Sequence, residues 1–179
     1  MIDRRLVMKT IVVSYSLTGN NNAFAGNVAK ELGLVHVKIT ESKKRTTGSI
    51  IFDLILNRTP RVQSLPFNLD SSNLILFFAP VWMSQAATPL RACMKDLNAN
   101  QRYAFISISG GADGPNMKLA DDLKKRTGRD PVALLDLHIA DLLPHDPKPT
   151  RKDTSAYKIK DGDIKKLTDY VVKALHEAV

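Results

Sequence analysis

The 179-residue sequence has little cysteine and little aromatic content, and it has no long apolar run. Its single cysteine, Cys93, excludes an internal disulfide and a multi-cysteine metal site. No apolar run approaches the roughly 18 to 20 residues that cross a bilayer, and the stretch near the start is too short for a signal peptide. We therefore expect a cytoplasmic protein without a membrane span, in which Cys93 lies in the core rather than at a catalytic centre.

Basic side chains are in excess. The chain has 26 Lys and Arg against 18 Asp and Glu, which gives a net charge of +8. A charge of this sign favours association with polyanions. However, only 6% of the residues are aromatic, so the basic clusters are not interleaved with rings that stack on bases. We interpret most of the clusters as solvated surface and expect no nucleic-acid partner. The clusters lie at 43–45, at 124–126 with Arg129, at 148–152 and at 165–166.

Five short apolar runs alternate with segments of helical periodicity. This alternation is typical of an α/β protein with a parallel sheet covered on both faces. The strands are predicted at 10–15, 34–39, 74–79, 103–108 and 132–137, and the helices at 21–32, 48–56, 89–97, 116–127 and 161–178. We expect 58–72 and 143–157 to be loops. The length fits a single domain over 1–179, with a core from 9 to 179 and an extension at 1–8.

Polar segments follow the first, third and fourth predicted strands. In an open parallel sheet, ligands bind beyond the carboxyl ends of the strands. The first segment, Ser16-Leu17-Thr18-Gly19-Asn20-Asn21, leads into a helix whose first amides point outward and attract anions. Its hydroxyl and amide groups add neutral donors, and Gly19 lets the backbone close around a tetrahedral group. This pattern predicts a site for a phosphate monoester, although such a loop can also simply cap its helix.

The other two segments offer groups for a planar ligand. Trp82, the only tryptophan, follows a buried strand and is either a core ring or a stacking surface, with Met83 beside it. The segment 109–115 is rich in glycine, so its main-chain amides can approach a ligand, or it is an ordinary turn. His138, Asp141, His145 and Asp146 do not have metal-ligand spacing, and no metal site is expected.

The first loop closely resembles the phosphate-binding loop of flavodoxins and bacterial flavodoxin-like oxidoreductases. The Pro-Val-Trp step at 80–82 and the Ser-Gly-Gly step at 109–111 resemble the second and third loops of the same family. The resemblance implies a three-layer sandwich with strand order 2-1-3-4-5 and FMN as cofactor. By resemblance, the FMN contacts are Ser16, Thr18, Gly19, Asn20, Asn21, Pro80, Val81, Trp82, Met83, Ser109, Gly110 and Gly111.

The resemblance also implies electron or hydride transfer through the flavin, with no side chain required as an acid or base. We expect an oxidoreductase of the NAD(P)H-linked quinone or flavin type, with NAD(P)H, a quinone or a redox protein as partner; a homodimer is left open. Met83 and Ser84 replace the second aromatic and the glycine that many relatives have after the loop tryptophan. The alternative is therefore a flavodoxin-fold protein that has lost FMN and binds another phosphate ester or acts as an interaction module.

Overall fold

A five-stranded parallel sheet organises the computed structural model, which describes residues 9–42, 45–63 and 69–179. The strands in this part of the chain are β1 (Thr10–Ser14), β2 (Val35–Lys38), β3 (Leu74–Phe78), β4 (Val81–Trp82), β5 (Gln85–Ala86), β6 (Arg102–Ser109) and β7 (Ala133–His138). The main sheet has the order β2-β1-β3-β6-β7, and β4 and β5 form a separate antiparallel hairpin. The predicted order 2-1-3-4-5 is therefore confirmed for the five sheet strands.

Helices cover both faces of the sheet. They are α1 (Asn20–Leu32), α2 (Thr47–Ile55), α3 (Arg91–Lys95), α4 (Leu119–Thr127), α5 (Arg151–Ala156) and α6 (Asp161–Ala178). On one face, Phe24 and Val28 of α1 and Val171 of α6 pack on the sheet. On the other face, Met94 of α3 and Leu123 of α4 do so. The alternation of strand side chains between these two clusters explains why β3 is apolar at every position.

The helix predictions are confirmed in position and corrected in detail. The helix at 161–178 has the predicted bounds, whereas the one predicted at 89–97 is a 3₁₀ turn, Thr88–Leu90, followed by the short α3. The helix predicted from 116 begins at Leu119. Cys93 is buried in the core as predicted, and burial raises the pKa of its thiol to about 11.

One prediction was wrong, because the loop expected at 143–157 contains α5. Its start is a capping box in which the Thr150 hydroxyl accepts from the Asp153 N–H and the Asp153 carboxylate accepts from the Thr150 N–H. The Thr-x-x-Asp spacing was visible in the sequence. The six-residue helix is too short to show apolar periodicity, so the proline content around it dominated the prediction.

Some sequence predictions fall outside the described residues, namely the extension at 1–8, the basic residues Lys43 and Lys44, and 64–68 of the loop expected at 58–72. None of the helices in the described ranges combines the length and apolar composition needed to cross a membrane. Within the same ranges, no group of three or more His, Cys, Asp or Glu side chains is arranged to hold a metal ion.

Candidate functional site

Three loops meet at the carboxyl edge of the sheet. They leave β1, β3 and β6, which are neighbours in the sheet, so their ends lie side by side. A cavity of about 150 Å³ is bounded by Thr18 of the first loop, Pro80 of the second and Ser109 of the third. Thr154 and Ser155 of α5 close its remaining side. The structure therefore brings the three predicted loops together and adds a fourth segment to them.

The first loop ends at Gly19, the N-cap of the 13-residue helix α1. Gly19 has φ 98°, a left-handed conformation that residues with a Cβ adopt at a cost. The Ser16 Oγ accepts from the Gly19 N–H at 2.9 Å and from the Asn21 N–H at 3.2 Å, which folds the loop over the helix start. The first turn of α1 has no acidic side chain, so no carboxylate of this turn competes with a bound anion for the helix dipole.

The side chains of Asn20 and Asn21 are engaged within the protein. The Asn21 amide donates to the Ile108 carbonyl oxygen at 2.8 Å and accepts from the Ile108 N–H at 3.0 Å. The Asn20 amide makes the same pair of contacts with the backbone of Tyr157 and Ile159. A ligand contact of Asn20 would therefore come from its main-chain N–H, whereas the Asn21 N–H already donates to the Ser16 Oγ.

The second loop is a tight hairpin. Val81 pairs with Ala86 and Trp82 with Gln85, and the two turn residues, Met83 and Ser84, have φ of 50° and 59°. Positive φ at both central positions defines a type I′ turn, which Asn-Gly normally favours. The conformation costs more for Met and Ser, so the surroundings must hold it. The turn projects Met83 into solvent with 71% of its surface exposed.

Buried polar side chains provide that hold. The Asp122 carboxylate accepts from the Ala86 N–H at 3.0 Å. The Gln85 Oε1 accepts from the guanidinium groups of Arg91 and Arg126, each at 3.0 Å. Arg91 is fully buried, and desolvation lowers its pKa to about 10. Both residues of β5 are thus held by side chains of α3 and α4.

Trp82 is partly buried by neighbouring side chains. Its ring meets Tyr15 edge to face, with centroids 5.9 Å apart, and the Arg45 guanidinium lies 5.9 Å from the ring centre. Arg45 is held by Glu41 and Asp53 at 2.8 and 2.7 Å. These contacts fix the orientation of the ring. That the ring stacks on a planar ligand stays a prediction.

The third loop lies closely against its neighbours. The Ser109 Oγ is buried at the cavity wall and has no hydrogen-bond partner among the described residues. A Cβ built at Gly111, where φ is 74°, would stand 2.3 Å from the Cβ of His138. His138 in turn contacts the Asp136 carboxylate at 3.2 Å, and this hydrogen bond raises the pKa of His138. Only glycine fits at position 111.

The fourth segment, which we call the 150–160 segment, was not among the predicted site residues. It comprises the N-cap Thr150, α5 and residues 157–160, and Thr154 in α5 is buried against Gly110. Lys158 donates from its Nζ to the Thr18 carbonyl oxygen in the first loop. These contacts join residues that are about 140 positions apart in sequence, and no local pattern indicates such a pairing.

Solved flavoproteins share this architecture. A flavoprotein in complex with FMN from Lactobacillus acidophilus NCFM has a TM-score of 0.62 and 19% identity, over 79% of this chain and 99% of that one. A candidate flavoprotein from Bacteroides eggerthii DSM 20697 has a TM-score of 0.60 and 17% identity, over 91% and 97%. One from Bacteroides uniformis ATCC 8492 has a TM-score of 0.61 and 17% identity, over 83% and 96%.

No protein-family model matches the sequence, and no curated protein sequence matches it either. The likeness to the solved structures lies in the path of the chain rather than in side chains, because the identities are below 20%. Strand order and structural likeness together define a flavodoxin-like α/β fold, as the sequence predicted. The candidate site lies at the edge of the sheet where such a fold binds its ligand.

Proposed function

We propose that this protein binds FMN at the three-loop site and uses it for electron or hydride transfer. The observation that carries the proposal is the first loop. It places the N-terminus of a long helix, opened by a left-handed glycine and free of acidic side chains, at the carboxyl end of β1. This is the arrangement that binds a phosphate group through main-chain N–H donors.

The residues at the site fit a flavin phosphate. Ser16 and Thr18 supply hydroxyl groups at the loop, and no acidic residue lies between 15 and 22. The unpartnered, buried Ser109 hydroxyl offers a hydrogen bond to a polar ligand atom, since a buried polar group without a partner costs free energy. The similar flavoprotein of Lactobacillus acidophilus forms its complex with the same cofactor.

Bound FMN would supply the redox chemistry, while the protein supplies binding, orientation and electrostatics. The hairpin at 81–86 and the third loop would flank the flavin ring. The Ala86 N–H of the hairpin donates to the Asp122 carboxylate, and Gly111 of the third loop lies directly against His138. The net charge of +8 favours the anionic reduced form of a flavin. We therefore propose two-electron chemistry between NAD(P)H and a quinone or similar acceptor.

A second candidate is a smaller phosphate ester in place of FMN. The cavity volume of about 150 Å³ favours it, because pockets for drug-sized ligands measure about 300 to 1,000 Å³. The ring of FMN would have to lie partly outside this cavity, against the exposed hairpin turn. The two candidates share the phosphate contacts and differ in the ring.

The test is a titration of the protein with FMN, followed by absorption and by quenching of flavin fluorescence. Retention of bands near roughly 375 and 450 nm after desalting would support FMN binding. Thr18→Glu places a carboxylate in the phosphate loop and should weaken FMN binding at least about tenfold by like-charge repulsion. Thr47→Glu is the matched control, since it makes the same change at an exposed threonine in α2, where affinity should not change.

Thermal unfolding with and without inorganic phosphate separates the candidates. Stabilisation by phosphate that Thr18→Glu abolishes, with no binding of FMN, would favour the smaller ester. No effect of either ligand on the wild-type protein would refute both proposals.

A further inference from the structure

Lys158 is held in a defined position beside the first loop. On one side of it, the Tyr157 carbonyl oxygen accepts from the Asn20 side chain at 3.0 Å. On the other side, the Ile159 N–H donates to the same side chain at 3.2 Å. Asn20 is 3% exposed and is the first residue of α1. The backbone around Lys158 is therefore tied to the start of the helix that forms the phosphate loop.

The 150–160 segment is also anchored away from the loop. The Tyr157 hydroxyl donates to the Asp163 carboxylate at 2.7 Å, which also accepts from the Lys160 N–H at 3.2 Å. At the other end, Thr154 is buried against Gly110. Because both ends are fixed, a side chain at position 158 reaches the loop with less loss of backbone entropy than one on a free tail.

The Lys158 ammonium group meets the loop without a counter-charge. Its Nζ donates to the Thr18 carbonyl oxygen, one residue before Gly19. Among the described residues no carboxylate pairs with it, whereas Arg151 in the same segment pairs with Asp113 at 2.7 Å. An ammonium group has three donors, and the Thr18 carbonyl uses one of them. Within the described part of the chain, two donors and the positive charge of the ammonium group therefore remain unpaired beside the first loop.

We infer that Lys158 binds the phosphate of the ligand and makes the site selective for a phosphorylated flavin over riboflavin. The inference rests on the proposed function, and it adds a charged group to the neutral donors that the sequence of the first loop indicates. Since the side chain is exposed, its contribution is that of a solvated charge-assisted hydrogen bond, and it depends on salt concentration.

The experiment compares the Kd of FMN with the Kd of riboflavin for four proteins by fluorescence quenching at low salt. In the wild type, FMN should bind more tightly than riboflavin. Lys158→Gln should weaken FMN about tenfold and leave riboflavin unchanged, because riboflavin has no phosphate. Lys158→Arg should retain most of the selectivity. Lys152→Gln, which removes an exposed charge from the same segment, is the matched control and should behave as wild type.

Salt provides a second measurement. The affinity of the wild type for FMN should fall with added salt more steeply than that of Lys158→Gln, because the variant lacks the screened charge. If Lys158→Gln leaves the ratio of the two Kd values unchanged, the inference is overturned while the proposed function stands. An unchanged ratio with both flavins weakened equally would assign Lys158 a structural role only. A wild-type protein that binds neither flavin would refute the proposed function, and the inference with it.

Discussion

Substitution of Asn21 by alanine tests the connection between the first and third loops. Asn21 is 2% exposed, and its amide forms hydrogen bonds of 2.8 and 3.0 Å with the carbonyl oxygen and the N–H of Ile108. Strand β6 continues past the end of β3, whose last paired residue, Phe78, lies opposite Ile106. The Asn21 side chain therefore forms hydrogen bonds with the Ile108 backbone at a point beyond the pairing of β6 with β3.

The expected cost follows from the two groups that lose their partner. A buried main-chain donor or acceptor left unpaired costs about 1 to 3 kcal/mol. Two of them give a loss of about 2 to 6 kcal/mol, a large part of the roughly 5 to 15 kcal/mol that stabilises a typical domain. Alanine recovers at most about 0.7 kcal/mol through its higher helix propensity.

Urea unfolding of the ligand-free protein measures this loss as a lower midpoint at an unchanged slope. The matched control is Asn27→Ala, at an exposed position of the same helix, where the protein should not lose stability and should gain at most about 0.7 kcal/mol from helix propensity. A loss below about 1 kcal/mol for Asn21→Ala, with the slope unchanged, would refute the reasoning. It would mean that the Ile108 groups find other partners once the amide is gone.

Three further predictions concern the core and the third loop. The hydrogen bond to Asp136 raises the pKa of His138. The stability that this bond adds should therefore be present below the usual histidine pKa of about 6.5 and be lost as pH rises through the folded-state pKa. In chemical unfolding, His138→Gln should cost more stability at about pH 5.5 than at about pH 8.5. Gly111→Ala should lower stability by at least about 2 kcal/mol, because its Cβ would stand 2.3 Å from that of His138 and its φ is 74°. The Cys93 thiol, with its pKa raised to about 11 by burial, should react with a thiol reagent at about pH 8 at least about a hundredfold more slowly in the folded protein than in urea.

Controls for these predictions exist in the same chain. His145→Gln changes an exposed histidine and should not reproduce the pH dependence. Gly114→Ala tests backbone strain without a clash, because φ is 94° and no atom lies within 4 Å of the new Cβ, so it should cost about 1 kcal/mol. A pH-independent effect of His138→Gln, equal losses for the two glycines, or rapid labelling of Cys93 in the folded state would each contradict the corresponding argument.

The fold was predictable because its signals are local. The apolar runs and the stripe of α6 are repeated over many residues, and five such runs alternating with helices leave few arrangements. The position of the candidate site follows from that order alone, since ligand loops lie at the carboxyl ends of the strands. The bounds of α3 and α4 were less accurate, because 88–90 forms a 3₁₀ turn and α4 begins only at Leu119.

The roles of particular side chains were not predictable in the same way. Asn20 and Asn21 have the composition of phosphate donors, yet their amides bind Tyr157, Ile159 and Ile108. The ring of Trp82 meets Tyr15 and Arg45, which come from two other segments. Each of these pairings depends on which segments the fold brings together. The spacing of residues along the sequence does not indicate which segments those are.

By itself, the sequence determined the flavodoxin-like sheet and the place of three loops at its carboxyl edge, because both follow from periodicity and strand order. Only the tertiary structure decided what closes the fourth side of the site. The 150–160 segment reaches the first loop through Asn20 and Lys158, and the partners are about 140 residues apart. Such contacts depend on the complete fold, because only the arrangement of the sheet brings these distant segments within hydrogen-bond distance.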